Sequence, residues 1–202
     1  MNDILRATGQ HIVIVAIAVA AATVAGVPLG IWCTRRTATA RAVLRAVDVI
    51  QTIPSLALFG FLIPIPFIGG IGPRTAIVAL ILYSLLPIVR NTLTGIRGVD
   101  RNVREAGVAM GLTARQLLFD VELPLAMPTI VAGVRIATVI AIGVATIAAA
   151  IGGGGLGDLI FRGVAMVDTR LILAGAIPAA LLAIAADVLL TFAERAILKT
   201  WG

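Results

Sequence analysis

From Ile12 to Cys33 the chain runs without one charged side chain: IVIVAIAVAAATVAGVPLGIWC. Crossing the hydrocarbon of a bilayer takes about 20 mostly apolar residues, and this run is long enough. In lipid, backbone N–H and C=O groups find no water, so such a run must satisfy them internally as a helix. Four further apolar stretches follow, at 47–62, 75–93, 129–151 and 171–192. The pattern predicts an all-α integral membrane protein, one domain over 1–202, with about five spans. The second stretch is the shortest and carries Gln51, Pro54 and Ser55. It is marginal as a span unless the bilayer thins or the helix extends back toward Arg45.

Composition agrees. The chain is 60% hydrophobic and 13% charged, whereas soluble domains carry about a quarter charged residues. The net charge is +6, yet the basic residues are scattered around apolar blocks. That suits orientation signals better than a nucleic-acid surface. Met1–Gln10 is only weakly basic, and the apolar run after it is long and closed by Arg35-Arg36. It therefore reads as a span and not a cleaved signal peptide. Cys33 is the single cysteine and His11 the single histidine. Neither an internal disulfide nor a structural zinc site can be built from them.

Cytoplasmic segments of membrane proteins are enriched in Lys and Arg. If the first span runs from outside to inside, the inner segments hold Arg35, Arg36, Arg41, Arg45, Arg90, Arg97, Arg101, Arg104, Arg115, Arg195 and Lys199. The outer segments hold Arg6, Arg74, Arg162 and Arg170. Arg135 lies within the fourth span. The bias predicts the N-terminus outside, the C-terminus inside, and the long polar stretch around 100–128 inside.

That stretch reads DRNVREAGVAMGLTARQLLFDVELPLAMP. Val103, Ala106, Ala109 and Met110 recur at helical spacing. Gly111 breaks the run, Thr113 can cap a second short helix, and Leu117, Leu118 and Val121 give that helix an apolar side. Leu123-Pro124 should end it, because a proline disfavours helix in the residue before it. Physics alone allows two readings: an amphipathic linker on the membrane surface, or a docking element for a soluble partner.

Glu105-Ala106-Gly107, Gly111, Val121, Leu123-Pro124 and Pro128 resemble the signature loop of permease subunits of binding-protein-dependent ATP-driven importers. Gly107 departs from that pattern, in which alanine is commoner. Gly26 to Gly30, Val49 to Leu58, Tyr83 to Thr92, Gly95 to Asp100, and Ile151 to Ile160 resemble the glycine betaine, choline and carnitine branch. The resemblance implies a type I ABC importer permease fold with cytoplasmic coupling helices. It implies that Glu105, Ala106, Gly107 and Gly111 dock on an ATPase subunit. Two ATPase chains, a second permease chain and an extracytoplasmic substrate-binding protein would complete the unit in the bacterial inner membrane. ATP and Mg would sit on the ATPase, and this chain would bind no cofactor.

Other residues carry two readings each. Gln51, Thr52, Pro54, Ser55, Tyr83 and Ser84 are candidates to line a translocation path, since interrupted helices near the midplane often do so; alternatively they bond between helices. Asp158 and Arg162 form either a local ion pair or a binding-protein contact. Gly152, Gly154 and Gly157 match G-x-G-x-x-G, but after a membrane helix this reads as a turn and not a dinucleotide site. Arg135 needs a partner or a route to the surface, and Asp187 is a candidate. His11, Trp32 and Trp201 read as membrane-interface residues. Two Trp, one Tyr and six Phe are thin material for a quaternary-ammonium cage, so selectivity is expected on the external binding protein. An intramembrane serine protease would need a nucleophile with a base, and the only serines, Ser55 and Ser84, lack that setting. A secondary transporter should show internal inverted repeats, which the sequence lacks.

Overall fold

The computed structural model describes residues 2–201, except the side chains of Thr37, Thr39, Thr200 and Trp201. The described chain is helical. Its elements are α1 (Asn2–Arg35), α2 (Thr37–Thr52), α3 (Ser55–Leu62), α4 (Pro73–Arg97), α5 (Arg101–Ala109), α6 (Ala114–Gln116), a π-helical segment (Leu117–Glu122), α7 (Leu123–Ala148), a 3-10 turn (Ala149–Ile151), α8 (Leu156–Met166) and α9 (Thr169–Trp201).

Among the described residues four helical stretches are long and apolar enough to cross a membrane: Asn2–Arg35, Pro73–Arg97, Ala114–Ile151 and Thr169–Lys199. The expected second span is not one short helix. Ala40–Thr52 and Ser55–Leu62 meet at a bend of 102°. Pro54 lacks the N–H that would continue the ladder, and Ile53 before it is extended, as the steric rule for pre-proline residues requires.

The centre of the bundle is α4, which packs against both α1 and α7. Close approach of α1 and α4 rests on Gly26 and Gly30, spaced as in a G-x-x-x-G face. A Cβ at Gly26 would lie 2.9 Å from Ile88 Cγ2, and one at Gly30 would lie 2.6 Å from Thr92 Cβ. The core there is Ala22, Ile88 and Ala137. A second cluster joins Ile14, Ala18, Leu80, Ala141 and Ala145. α9 is different: it packs on α7 and α8 but leaves Leu181, Ile184, Leu189 and Phe192 exposed. In a bilayer such an apolar face needs no protein cover, because lipid is as apolar as leucine.

The bundle has two unlike ends. One, here the basic end, carries α5, α6, Arg35 of α1, and Arg90 and Arg97 of α4. The other, the glycine end, carries the 152–155 turn, α8 and the 63–72 loop. Gly72 N–H donates to Ile151 O (2.8 Å) and joins that loop to the glycine turn.

Candidate functional site

The polar stretch of the basic end folds into the expected helix pair. Asp100 caps α5 by accepting from Asn102 N–H at 2.8 Å. Gly111 makes the turn with φ +84°, a left-handed conformation that favours glycine. Thr113 then forms a full capping box with Gln116. Of the four docking candidates, only Gly107 faces the protein; its site is closed by Leu117 and Leu112. Ala106 and Gly111 are exposed. Glu105 is exposed as well and pairs with Arg101 at 2.5 Å. The apolar side of α5 also points outward, with Val108 at 61% and Met110 at 75% exposure. Among the described residues, nothing buries these two side chains.

Leu123-Pro124 does not end the second helix, contrary to the expectation. The chain passes through the π-helical turn of Leu117–Glu122 directly into α7. Leu123 N–H reaches Leu118 O, five residues back. The widened turn relieves the strain that Pro124, with no N–H and a bulky ring, puts on a regular ladder. The second short helix and α7 are therefore one helical piece, Ala114–Ile151. Arg104 ties α5 to this piece: its Nε lies 3.2 Å from Glu122 Oε1, and its guanidinium donates to Ile96 O at the end of α4. Arg35 donates to Ala114 O at 3.2 Å.

The passage candidates gather partly. Pro87 sits inside α4 and cannot bond to the carbonyl four residues back, which belongs to Tyr83. Gln51 Nε2 donates to that carbonyl at 3.3 Å. In return Tyr83 Oη donates to Ile53 O, beside the Pro54 break. Two proline interruptions thus satisfy each other's freed groups, as membrane helices require. Thr52 is exposed and bonds back to Val49 O at 2.7 Å. Pro54 is exposed and Ser55 half-buried. Ser84 is wholly buried, its Oγ without a hydrogen-bond partner among the described residues. A cleft of about 680 Å³ lies instead between α1, α7 and α9, and none of the six passage candidates lines it.

Residues 26–199 match the family model described as "Binding-protein-dependent transport system inner membrane component". The chain belongs to that family. It is a non-catalytic, multi-pass permease subunit. The permease is 46% identical over 194 residues to the glycine betaine/carnitine/choline transport system permease protein OpuCB of Bacillus subtilis (strain 168), covering 96% of this chain and 88% of that one. It is 49% identical over 187 residues to the carnitine transport permease protein OpuCD of Listeria monocytogenes serotype 1/2a (strain 10403S), covering 92% and 82%. It is 49% identical over 185 residues to the osmoprotectant import permease protein OsmW of Salmonella typhimurium, covering 91% and 86%. Among solved structures, an inward-facing form of the MetNI methionine ABC transporter superposes with a TM-score of 0.86 at 24% identity, over 98% of this chain and 97% of that one. The fold is that of a type I ABC importer permease.

At the glycine end of the permease, Asp158 and Arg162 stand exposed on α8. Partial burial raises the Asp158 carboxyl above the usual carboxylate value, and the Arg162 charge pulls it back. The glycine motif is a packed turn: Gly152, Gly154 and Gly155 all have positive φ, and Gly155 N–H donates to Gln10 Oε1 at 3.2 Å. His11 is not an interface residue, as its position suggested. It is 1% exposed, and its Nε2 lies 3.2 Å from Ile142 O, because α7 and the glycine turn close over it. Trp32 is half exposed, while the Trp201 side chain lies outside the described residues.

Arg135 does meet Asp187, at 3.2 Å. Sequence reasoning missed its other partners, Thr191 Oγ1 at 3.0 Å and Glu194 Oε2 at 3.6 Å. The signal was there: positions 187, 191 and 194 share one helical face.

Proposed function

We propose that this permease forms half of the membrane passage of an ATP-driven importer for glycine betaine or a related quaternary-amine osmoprotectant. The observation that carries the substrate class is the 46% identity over nearly the whole chain to a permease named for glycine betaine, carnitine and choline. A second reading, import of another small solute such as an amino acid, draws on the fold shared with a methionine transporter.

In this reading the basic end is cytoplasmic, with the N-terminus outside and the C-terminus inside. Charge bias across the loops supports it. Glu105, Ala106, Gly107 and Gly111 form the contact with an ATPase subunit, which binds ATP and Mg. The unpartnered apolar side of α5, with Val108 and Met110 exposed, supports docking over a lone surface linker. The partner surface covers Val108 and Met110, and the glycine turn lets it approach closely. A second permease chain, identical or paralogous, completes the passage around a two-fold axis. The separation of the cleft from the passage candidates supports this, because the cleft between α1, α7 and α9 does not supply a route past them.

Gln51, Thr52, Pro54, Ser55, Tyr83 and Ser84 line the route. Thr52 and Pro54 are the exposed members and Ser55 is half-buried, so a cation moving past the α2–α3 break meets few free polar groups and is released readily. Tight selection rests with an external binding protein, for which Asp158 and Arg162 offer an exposed charged contact on the outer face. The switch between outward- and inward-open states is a rotation of the ATPase dimer carried by the helix pair.

The test is uptake in proteoliposomes holding the permease, its partner ATPase and its binding protein. Radiolabelled glycine betaine should enter only with ATP, and choline or carnitine should compete better than methionine. ATP-dependent uptake of methionine in preference to betaine would transfer the assignment to the second reading.

A further inference from the structure

Between the docking surface and the spans lies one charged contact that the docking role itself does not use. Arg104 and Glu122 are 18 positions apart in sequence and belong to different helices. Arg104 is on α5. Glu122 is the last residue of the π-helical turn before α7, and it is 7% exposed. A carboxylate so buried needs a cation or hydrogen bonds. Among the described residues Arg104 is the only cation within ion-pair distance of it. The Arg104 Nε to Glu122 Oε1 separation is 3.2 Å, but Nε is not aligned for a hydrogen bond. The attraction is therefore electrostatic and holds over small relative movements. The same guanidinium donates to Ile96 O, one of the last carbonyls of α4, where a cation also complements the helix dipole.

One side chain therefore joins three elements: the docking helix, the end of α4 and the start of α7. These are the helix that meets the ATPase and the two spans at the heart of the bundle. Gly98, Val99 and Asp100 otherwise connect α4 to α5 in a short turn, and α5 packs against the π-helical segment with Gly107 close to Leu117. Without Arg104 that turn and the packing at Gly107 would still hold the docking helix, but among the described residues no ion pair would tie it to the spans.

We infer that Arg104 and Glu122 are positioning residues that convert ATPase movement into movement of α4 and α7. The inference rests on the importer reading above. Arg104 need not touch the ATPase for this. Its part is to make the helix pair and the two spans move as one body.

The test uses the complete complex in proteoliposomes. Arg104→Met, Glu122→Gln and the conservative Arg104→Lys are compared with wild type. Three quantities are read: co-purification of the ATPase, the ATP hydrolysis rate, and solute taken up per ATP hydrolysed. Arg104→Met and Glu122→Gln should keep the ATPase bound and hydrolysing. Their uptake per ATP should fall at least about fivefold, the low end of typical coupling free energies. Arg104→Lys, which keeps a cation and donor between Glu122 and Ile96 O, should retain a substantial part of it. Should Arg104→Met fail to assemble, the isosteric Glu122→Gln and Arg104→Lys decide, because neither strands the buried carboxylate. Wild-type uptake per ATP in Glu122→Gln, or Arg104→Lys no better than Glu122→Gln, would overturn the inference. A wild-type complex without ATP-driven uptake would sink the importer reading, and the inference with it.

Discussion

The two ends of the permease are held together by different physics. From mid-depth to the basic end the elements are joined by charge: Asp48 to Arg90 at 2.6 Å, Arg104 to Glu122, and Arg135 to Asp187 and Glu194. At the glycine end, no ion pair joins the elements among the described residues. There the contacts are backbone against backbone. A Cβ at Gly157 would lie 2.0 Å from Thr146 O, and one at Gly153 would lie 2.7 Å from Ala148 O. Charged contacts act over several ångströms and survive small shifts. Close packing does not, since a methyl group already exceeds the space. The comparison teaches that the contacts of the basic end can tolerate small shifts and stay connected, whereas those of the glycine end cannot.

Substitutions can break this contrast, most sharply at Gly157. Gly157→Ala should cost about 3 kcal/mol or prevent stable insertion, because the obstructing atom is a backbone carbonyl. SDS-unfolding titration of the purified permease would measure it. Gly143→Ala on α7 is the control: its Cβ would meet nothing within 4 Å, so its curve should overlay wild type. An equal loss in both would show that glycine content matters at that end, and not close packing.

Next in size is Arg135→Leu. It strands Asp187 and Glu194 and should cost about 2 kcal/mol in the same titration, the usual scale for hydrogen bonds to charged groups. No loss would mean that α9 is held by apolar contact alone. Gly111→Ala should follow at about 1–2 kcal/mol, the strain of a left-handed residue with a Cβ. It should appear as weaker ATPase co-purification, since nothing crowds the position. Gly107→Ala should do less than either, because the tip of Leu117, 2.8 Å from the new Cβ, is flexible. The smallest effect should come from Thr113→Ala, about 1 kcal/mol for a lost cap, visible as faster amide exchange at Ala114–Gln116.

Local chemistry was legible in the sequence, and distant pairing was not. The long helices α1 and α7 followed from apolar length, broken in α7 only by Arg135. The cap at Thr113 and the break at Gly111 followed from side-chain and backbone preferences. Pro54 announced a break, though not a bend of 102°, which depends on how α3 packs against α4. Pro124 misled, because a π-helical turn absorbs a proline that an α-helical ladder would reject. His11 misled for another reason: a lone histidine at the end of an apolar run looks like an interface residue until a loop from 140 residues further on closes over it. Gln51 and Tyr83 were singled out as polar residues in spans. That they repair each other's proline breaks could not be read, because neither residue carries a sign of which carbonyl it will meet.

The uninterrupted path from Ala114 to Ile151 has a consequence of its own. It is 38 residues long, or roughly 57 Å at the α-helical rise, so one helical lever reaches from the basic end to the glycine turn. A tilt of about 5° near its basic end would sweep the far tip by about 5 Å. A stroke too small to notice at the basic end thus becomes, at the opposite face, the width of a solute.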